Sequence, residues 1–166
     1  ATELADNGIA CRRQHLRGGD TLVMRLVALV DAAVGRIRGH AIQGLETPDI
    51  AQAGIAYVPE TMGIFSDLTV QENMVLAARA ARHAGELDKA RLDWIFGLFP
   101  ALQKFWLYPA GKLSGGQKQM LAVARAIVEP RELLLIDEPS KGLAPSIINN
   151  LIDAFRQLKS QSTTIL

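Results

Sequence analysis

The chain has 166 residues, enough for one domain with a self-supporting core. Its 49% hydrophobic and 21% charged residues exclude a disordered chain. A net charge of +1 gives no strong global pull toward nucleic acid or anionic lipid, and a single cysteine, Cys11, excludes a disulfide scaffold.

Thr21 to Val30 is nearly all apolar and reads as a buried helix. Gly35 to Ile42 alternates and contains glycine, the pattern of a short hairpin. Thr47 before Pro48 predicts a capped helix to about Gln52, stopped by Gly54. Ile55 to Val58 predicts a strand ended by Pro59. Thr69 and Glu72 make a capping box for a helix to about His83. A second helix is expected from Glu86 to about Leu98, with Leu87, Leu92, Ile95 and Phe96 near one face. Phe99 to Pro109 reads as irregular, and its Phe105, Trp106 and Tyr108 read as core packing in preference to a partner surface. Ser114 and Gln117 form another capping box, for a helix to about Val128. Leu133 to Ile136 is a continuous apolar run, the mark of a strand buried on both faces. Ser146 is expected to cap a helix with a stripe of Ile147, Ile148, Leu151, Ile152, Phe155 and Leu158. One more strand starts at Thr163. No apolar run approaches the ~20 residues that span a bilayer, and the N-terminus lacks a signal-peptide pattern.

Two features carry chemistry. Leu113-Ser114-Gly115-Gly116-Gln117 opens a helix, where free backbone N–H groups and the helix dipole favour an anion. The same residues also fit an ordinary glycine-containing cap. Asp137 and Glu138 follow a buried strand, where open α/β sheets bind ligands. Asp137 is suited to Mg²⁺ and Glu138 to orienting a water; two acids opening a solvated loop is the alternative.

Taken jointly, these motifs resemble the nucleotide-binding subunits of ABC transporters. LSGGQ resembles the family signature, LLLIDEP the Walker B strand with its glutamate, and Ser140 to Pro145 the D-loop. Ile55 to Glu60 resembles the strand entering the Q-loop, and the stretch from Phe65 to Met74 the start of the helical subdomain. IAYVPE and EPSKGLAP are most similar to the subgroup serving branched-chain amino acid importers. The resemblance implies an α/β, P-loop NTPase-like core at residues 1–65 and 113–166, incomplete at both ends, with a helical subdomain at 66–112. It implies ATP and Mg²⁺ as cofactors. Ser114, Gly115, Gly116 and Gln117 would meet ATP held by an opposing subunit, Asp137 would serve Mg²⁺, and Glu138 would be the catalytic residue. Glu60, at the Q-loop position, is also implied in nucleotide binding, able to ligate Mg²⁺ or touch a transmembrane partner; it stands where most relatives have Gln, and Ala144 where many have Asp. Implied partners are a second ATP-binding subunit and transmembrane permease subunits, with no nucleic acid. The implied location is peripheral, on the cytoplasmic face of the inner membrane.

One motif departs from the pattern. A P-loop reads G-x-x-x-x-G-K-[ST], and the register that fits the helix from Thr21 places Arg13 at its first glycine and Gly18 at its second. Gly19 then replaces the lysine, Asp20 the hydroxyl residue, and Thr21 comes one place late. Asp20 adds a negative charge beside a triphosphate, a repulsion of about 4 kcal/mol at ~4 Å and an effective dielectric of 20. The expectation is that this loop does not bind ATP. Three readings follow: an ATPase subunit of an importer, a non-catalytic partner offering LSGGQ in trans, or a remnant without nucleotide binding.

Overall fold

The computed structural model describes residues 36–37, 40–42, 44–82 and 87–166. It has two units, Ala1–Leu45 and Glu46–Leu166. The described part of the first is a hairpin, β1 (Arg36–Ile37) paired antiparallel with β2 (His40–Ala41), as the alternation at 35–42 predicts. The helix expected at Thr21 to Val30 and the loop residues Gly18, Gly19, Asp20 and Thr21 lie outside the described residues.

The second unit is built on a parallel sheet. α1 (Thr47–Gln52) leads to β3 (Ile55–Val58). Then come α2 (Val70–Arg82), α3 (Lys89–Leu98), α4 (Pro100–Lys104), a 3₁₀ turn at Ala110–Lys112 and α5 (Gly115–Ala126). β4 (Leu133–Ile136), α6 (Pro145–Ser160) and β5 (Thr164–Ile165) complete the order. The strand order is β3-β4-β5, with Ile55 opposite Leu133 and Leu133 opposite Thr164. Parallel neighbours need a crossover, which α2 to α5 and then α6 supply. The central position of β4 explains its unbroken LLLI: Leu133, Leu134 and Leu135 are all buried.

The core joins this sheet to the helices. Val58 and Leu134 pack with Val70, Met74, Ile95, Phe99, Leu121 and Leu158 in one cluster. The two ends of the helical stretch run side by side: Thr69 pairs antiparallel with Pro109, and the Ala110 and Gly111 amides donate to the Leu68 and Ser66 carbonyls at 2.8 and 2.9 Å. The Val70 and Gln71 amides, which have no acceptor inside α2, donate to the Tyr108 and Trp106 carbonyls at 3.1 and 2.9 Å.

Several boundaries differ from the sequence-based expectation. Thr47 lies inside α1; Glu46 is the cap residue and makes no side-chain bond, because proline in the first turn already sets the entry geometry. The same holds for α6, which starts at Pro145 after Ala144, so Ser146 does not cap it. α3 starts at Lys89 because the Asp88 carboxylate accepts from the Arg91 amide at 2.7 Å, a stronger cap than Glu86 offers. Residues 100–104, expected to be irregular, form the short α4 behind Pro100. α5 ends at Ala126, two residues earlier than expected. On α6 the buried line is Leu151, Ala154 and Leu158, and Ile152 is 40% exposed, since it sits about 100° around the helix from Leu151. Phe105 and Trp106 pack against the core, Trp106 edge-on to Phe96 at 5.1 Å, as expected; Tyr108 is 43% exposed and does not.

Candidate functional site

The start of α5 is built as the capping box predicts. Ser114 Oγ accepts from the Gln117 amide at 3.3 Å, and Gln117 Oε1 accepts from the Ser114 amide at 2.9 Å. The Lys118 amide makes the first bond of the helical ladder, to the Ser114 carbonyl. The Gly115 and Gly116 amides precede it and have no acceptor inside the helix. A Cβ at Gly115 would meet nothing within 4 Å, so this turn is open to an incoming group. Gly116 is different: a Cβ there would lie 2.9 Å from both Cγ1 and Cγ2 of Ile147. Its glycine is required by the close packing of α5 on α6, a reason the sequence did not disclose. Gly116→Ala is therefore expected to cost about 1–3 kcal/mol by overpacking, measured as a lower denaturant midpoint; Gly115→Ala, whose Cβ meets nothing, should be neutral or stabilise by up to about 1 kcal/mol through helix propensity.

The carboxylates gather at the C-terminal ends of β3 and β4. The Asp137 amide donates to the Val58 carbonyl at 3.0 Å, which carries the strand pairing one step past the sheet. Glu138 has φ of +44°, a left-handed backbone that a non-glycine residue adopts at a cost of about 1–3 kcal/mol. The turn then closes through the Lys141 amide to the Glu138 carbonyl at 3.2 Å, with Gly142 supplying φ of +69°. This brings the Lys141 ammonium 3.3 Å from Glu138 Oε2, and the same ammonium donates to Glu60 Oε1. Hydrogen bonds to Glu60 and then Glu138 raise the pKa of Lys141 above the ordinary lysine value. A raised lysine pKa stabilises the fold fully below the unfolded value and loses that effect only as pH rises through the folded one, so the contact is intact at neutral pH. Burial, then the charges of Asp137 and Glu60, raise the Tyr57 phenol above its usual value.

The predicted residues thus fall in two groups. Glu60, Asp137 and Glu138 come together on the ends of adjacent strands. Ser114 to Gln117 form the second group, at the start of α5, and among the described residues no hydrogen bond or ion pair joins the two groups. The degenerate loop lies outside the described residues. Sequence reasoning missed Lys141, although two carboxylates on neighbouring strand ends call for a counter-charge. It also missed Asn73 and Arg125. Asn73 is 0% exposed; its side chain accepts from the Phe65 amide at 2.9 Å and donates to the Phe65 and Thr69 carbonyls, both at 2.9 Å. Arg125 on α5 donates to the Gly63 carbonyl and lies 5.0 Å from the Phe65 ring centre. Together they fix the loop that follows β3. A polar residue on the apolar face of α2 was the available signal for Asn73.

For a nucleotide and its Mg²⁺ the residues present fit in part. The open Gly115 turn suits a phosphate. Among the described residues no group of three or more His, Cys, Asp or Glu could hold a metal alone. Mg²⁺ in phosphate sites commonly uses one or two carboxylates plus the phosphates themselves, so Asp137 is the residue that would hold it.

A parallel sheet with helical crossovers, a glycine-opened helix and an acidic strand end define an ATP-binding-cassette architecture. Residues 18–141 match the ABC transporter family, and the chain belongs to it. It is 39% identical over 150 residues to the high-affinity branched-chain amino acid transport ATP-binding protein BraG of Pseudomonas aeruginosa, covering 89% of this chain and 64% of that protein. It is 35% identical over 144 residues to a probable branched-chain amino acid transport ATP-binding protein, LivF, of Archaeoglobus fulgidus, covering 86% and 60%. The chain therefore spans less than two thirds of these curated relatives. Among solved structures it resembles an ATP-binding cassette of an ABC transporter in its ADP conformation, with a TM-score of 0.65, 20% identity, and coverage of 84% of this chain and 63% of that one. It also resembles a cassette solved as a dimer in a post-hydrolysis state with ADP and phosphate, at a TM-score of 0.65, 20% identity, and coverage of 78% and 59%. Among the described residues no helix is long and apolar enough to cross a membrane.

Proposed function

We propose that the chain serves as an ATP-binding subunit of an importer, with branched-chain amino acids as the solute class, and that it contributes its α5 start to a nucleotide held by a second subunit. The solute class rests on the relatives. The observation that carries the second part is the unobstructed turn at Gly115, at a helix start whose first amides have no acceptor inside the helix. In this reading the Gly115 and Gly116 amides and the Ser114 hydroxyl receive the terminal phosphate of ATP. Asp137 would hold Mg²⁺, which would neutralise phosphate charge, and Glu138 would orient water only if the chain's own site took up a nucleotide; in the trans role both are idle. Residues 66–112 act as the helical subdomain facing the permease, with the chain peripheral to the membrane.

Gly19 and Asp20, where a P-loop has its lysine and hydroxyl residue, favour the trans role over autonomous hydrolysis. The expected result is that the isolated chain binds MgATP with a Kd weaker than ~100 μM by titration calorimetry. A Kd at or below that value, about −5.5 kcal/mol, would show that the loop works as it stands and defeat the trans reading.

A further inference from the structure

We propose that Lys141 is a positioning residue that ties the loop after β3 to the loop after β4 by holding Glu60 and Glu138 on one ammonium. The two loops are distant in sequence, Lys141 and Glu60 being 81 residues apart. They begin side by side, because the Asp137 amide bonds the Val58 carbonyl. Three carboxylates, of Glu60, Asp137 and Glu138, crowd this end of the sheet, and among the described residues Lys141 is the cation whose nitrogen reaches two of them. The turn from Glu138 to Lys141 folds the side chain back toward β3; an extended segment would carry it away.

The chemistry of position 60 gives the lysine its role. A neutral amide there would need no counter-ion, whereas a carboxylate beside Asp137 and Glu138 repels both. Lys141 converts that repulsion into a link, so a displacement of either loop is felt by the other. The ammonium is 62% exposed, so the link is weak and salt-sensitive, able to break when another cation approaches either carboxylate.

The proposal rests on the functional reading only in taking Glu138 as the water-orienting carboxylate. Its test uses no nucleotide, so its failure would leave the MgATP result standing, and the reverse. The measurement is amide hydrogen exchange on the full chain at Met62, whose amide bonds the Pro59 carbonyl at 2.8 Å, and at Leu143, whose amide bonds the Ser140 carbonyl at 3.2 Å. Lys141→Met should speed exchange at both positions about threefold to fivefold, the upper value being ~1 kcal/mol at tenfold per 1.4 kcal/mol. Lys141→Arg should restore both rates. Glu60→Gln should speed both, and adding Lys141→Met to it should add little. High salt should bring the unaltered chain to the rates of the Met variant. Acceleration at Leu143 alone would reduce the lysine to a local turn contact and overturn the proposal. So would unchanged rates, or effects of the two substitutions that simply add.

Discussion

Ser114→Arg is expected to stop phosphate release from a mixed complex of this chain with a subunit carrying an intact P-loop, while Glu138→Gln leaves the rate nearly unchanged. In the trans reading the complete site uses the partner's lysine and this chain's α5 start. An arginine at 114 puts a long side chain into the turn that Gly115 leaves open, and removes the hydroxyl that caps Gln117. Losing an oriented donor to a charged transition state costs on the order of 10²–10³ in rate. The lost cap alone costs about 1 kcal/mol of stability, so Ser114→Ala, which loses the cap without the bulk, separates the two effects. By the family resemblance Glu138 would serve a nucleotide held by the chain's own loop, whose sequence lacks the lysine, so it is silent in this scheme. Steady-state phosphate release decides it: if Glu138→Gln halts turnover and Ser114→Arg does not, this chain hydrolyses ATP at its own site.

The largest stability effect is expected at Asn73, in no motif of the site. Asn73→Ala removes the acceptor for the Phe65 amide and the donor to the Phe65, Leu68 and Thr69 carbonyls. Each buried group left without a partner costs about 1–3 kcal/mol. Water can reach part of the loop, so a total of ~3 kcal/mol is expected, or a fall in Tm of about 6–12 °C for a chain of this size. Asn73→Leu keeps the volume but neither donates nor accepts, and should recover little. A leucine variant as stable as the parent would mean that packing, not hydrogen bonding, holds the loop.

These two residues mark how much could be read from sequence. Ser114 and Gln117 announce themselves, because a capping box is local and its partners sit three residues apart. The LLLI strand is equally legible, since burial on both faces leaves an unbroken apolar run. Gly116 was recognised as part of a motif, but its contact with Ile147 joins two helices and has no local trace. The partners of Lys141 and Arg125 are likewise distant, Glu60 and Gly63 lying 81 and 62 residues away. Helix starts were misread where proline, not a side-chain cap, fixes the first turn, as at Pro48 and Pro145.

The sheet itself has a consequence for how the chain acquires its structure. β3 leaves the ribosome about 80 residues before β4, the strand that covers its edge, and synthesis at ~5–20 residues per second makes that an interval of seconds. In that time α1 to α5 can form from local contacts, but among the described residues β3 has no strand to pair with before β4. An unpaired apolar strand is a template for pairing with another chain. The arrival of Leu133 to Ile136 ends that exposure on one side of β3, and β5 then needs only one helix more of chain to dock. Nascent chains halted short of β4 would thus be the aggregation-prone form of this protein, and those halted after it would already hold most of the sheet.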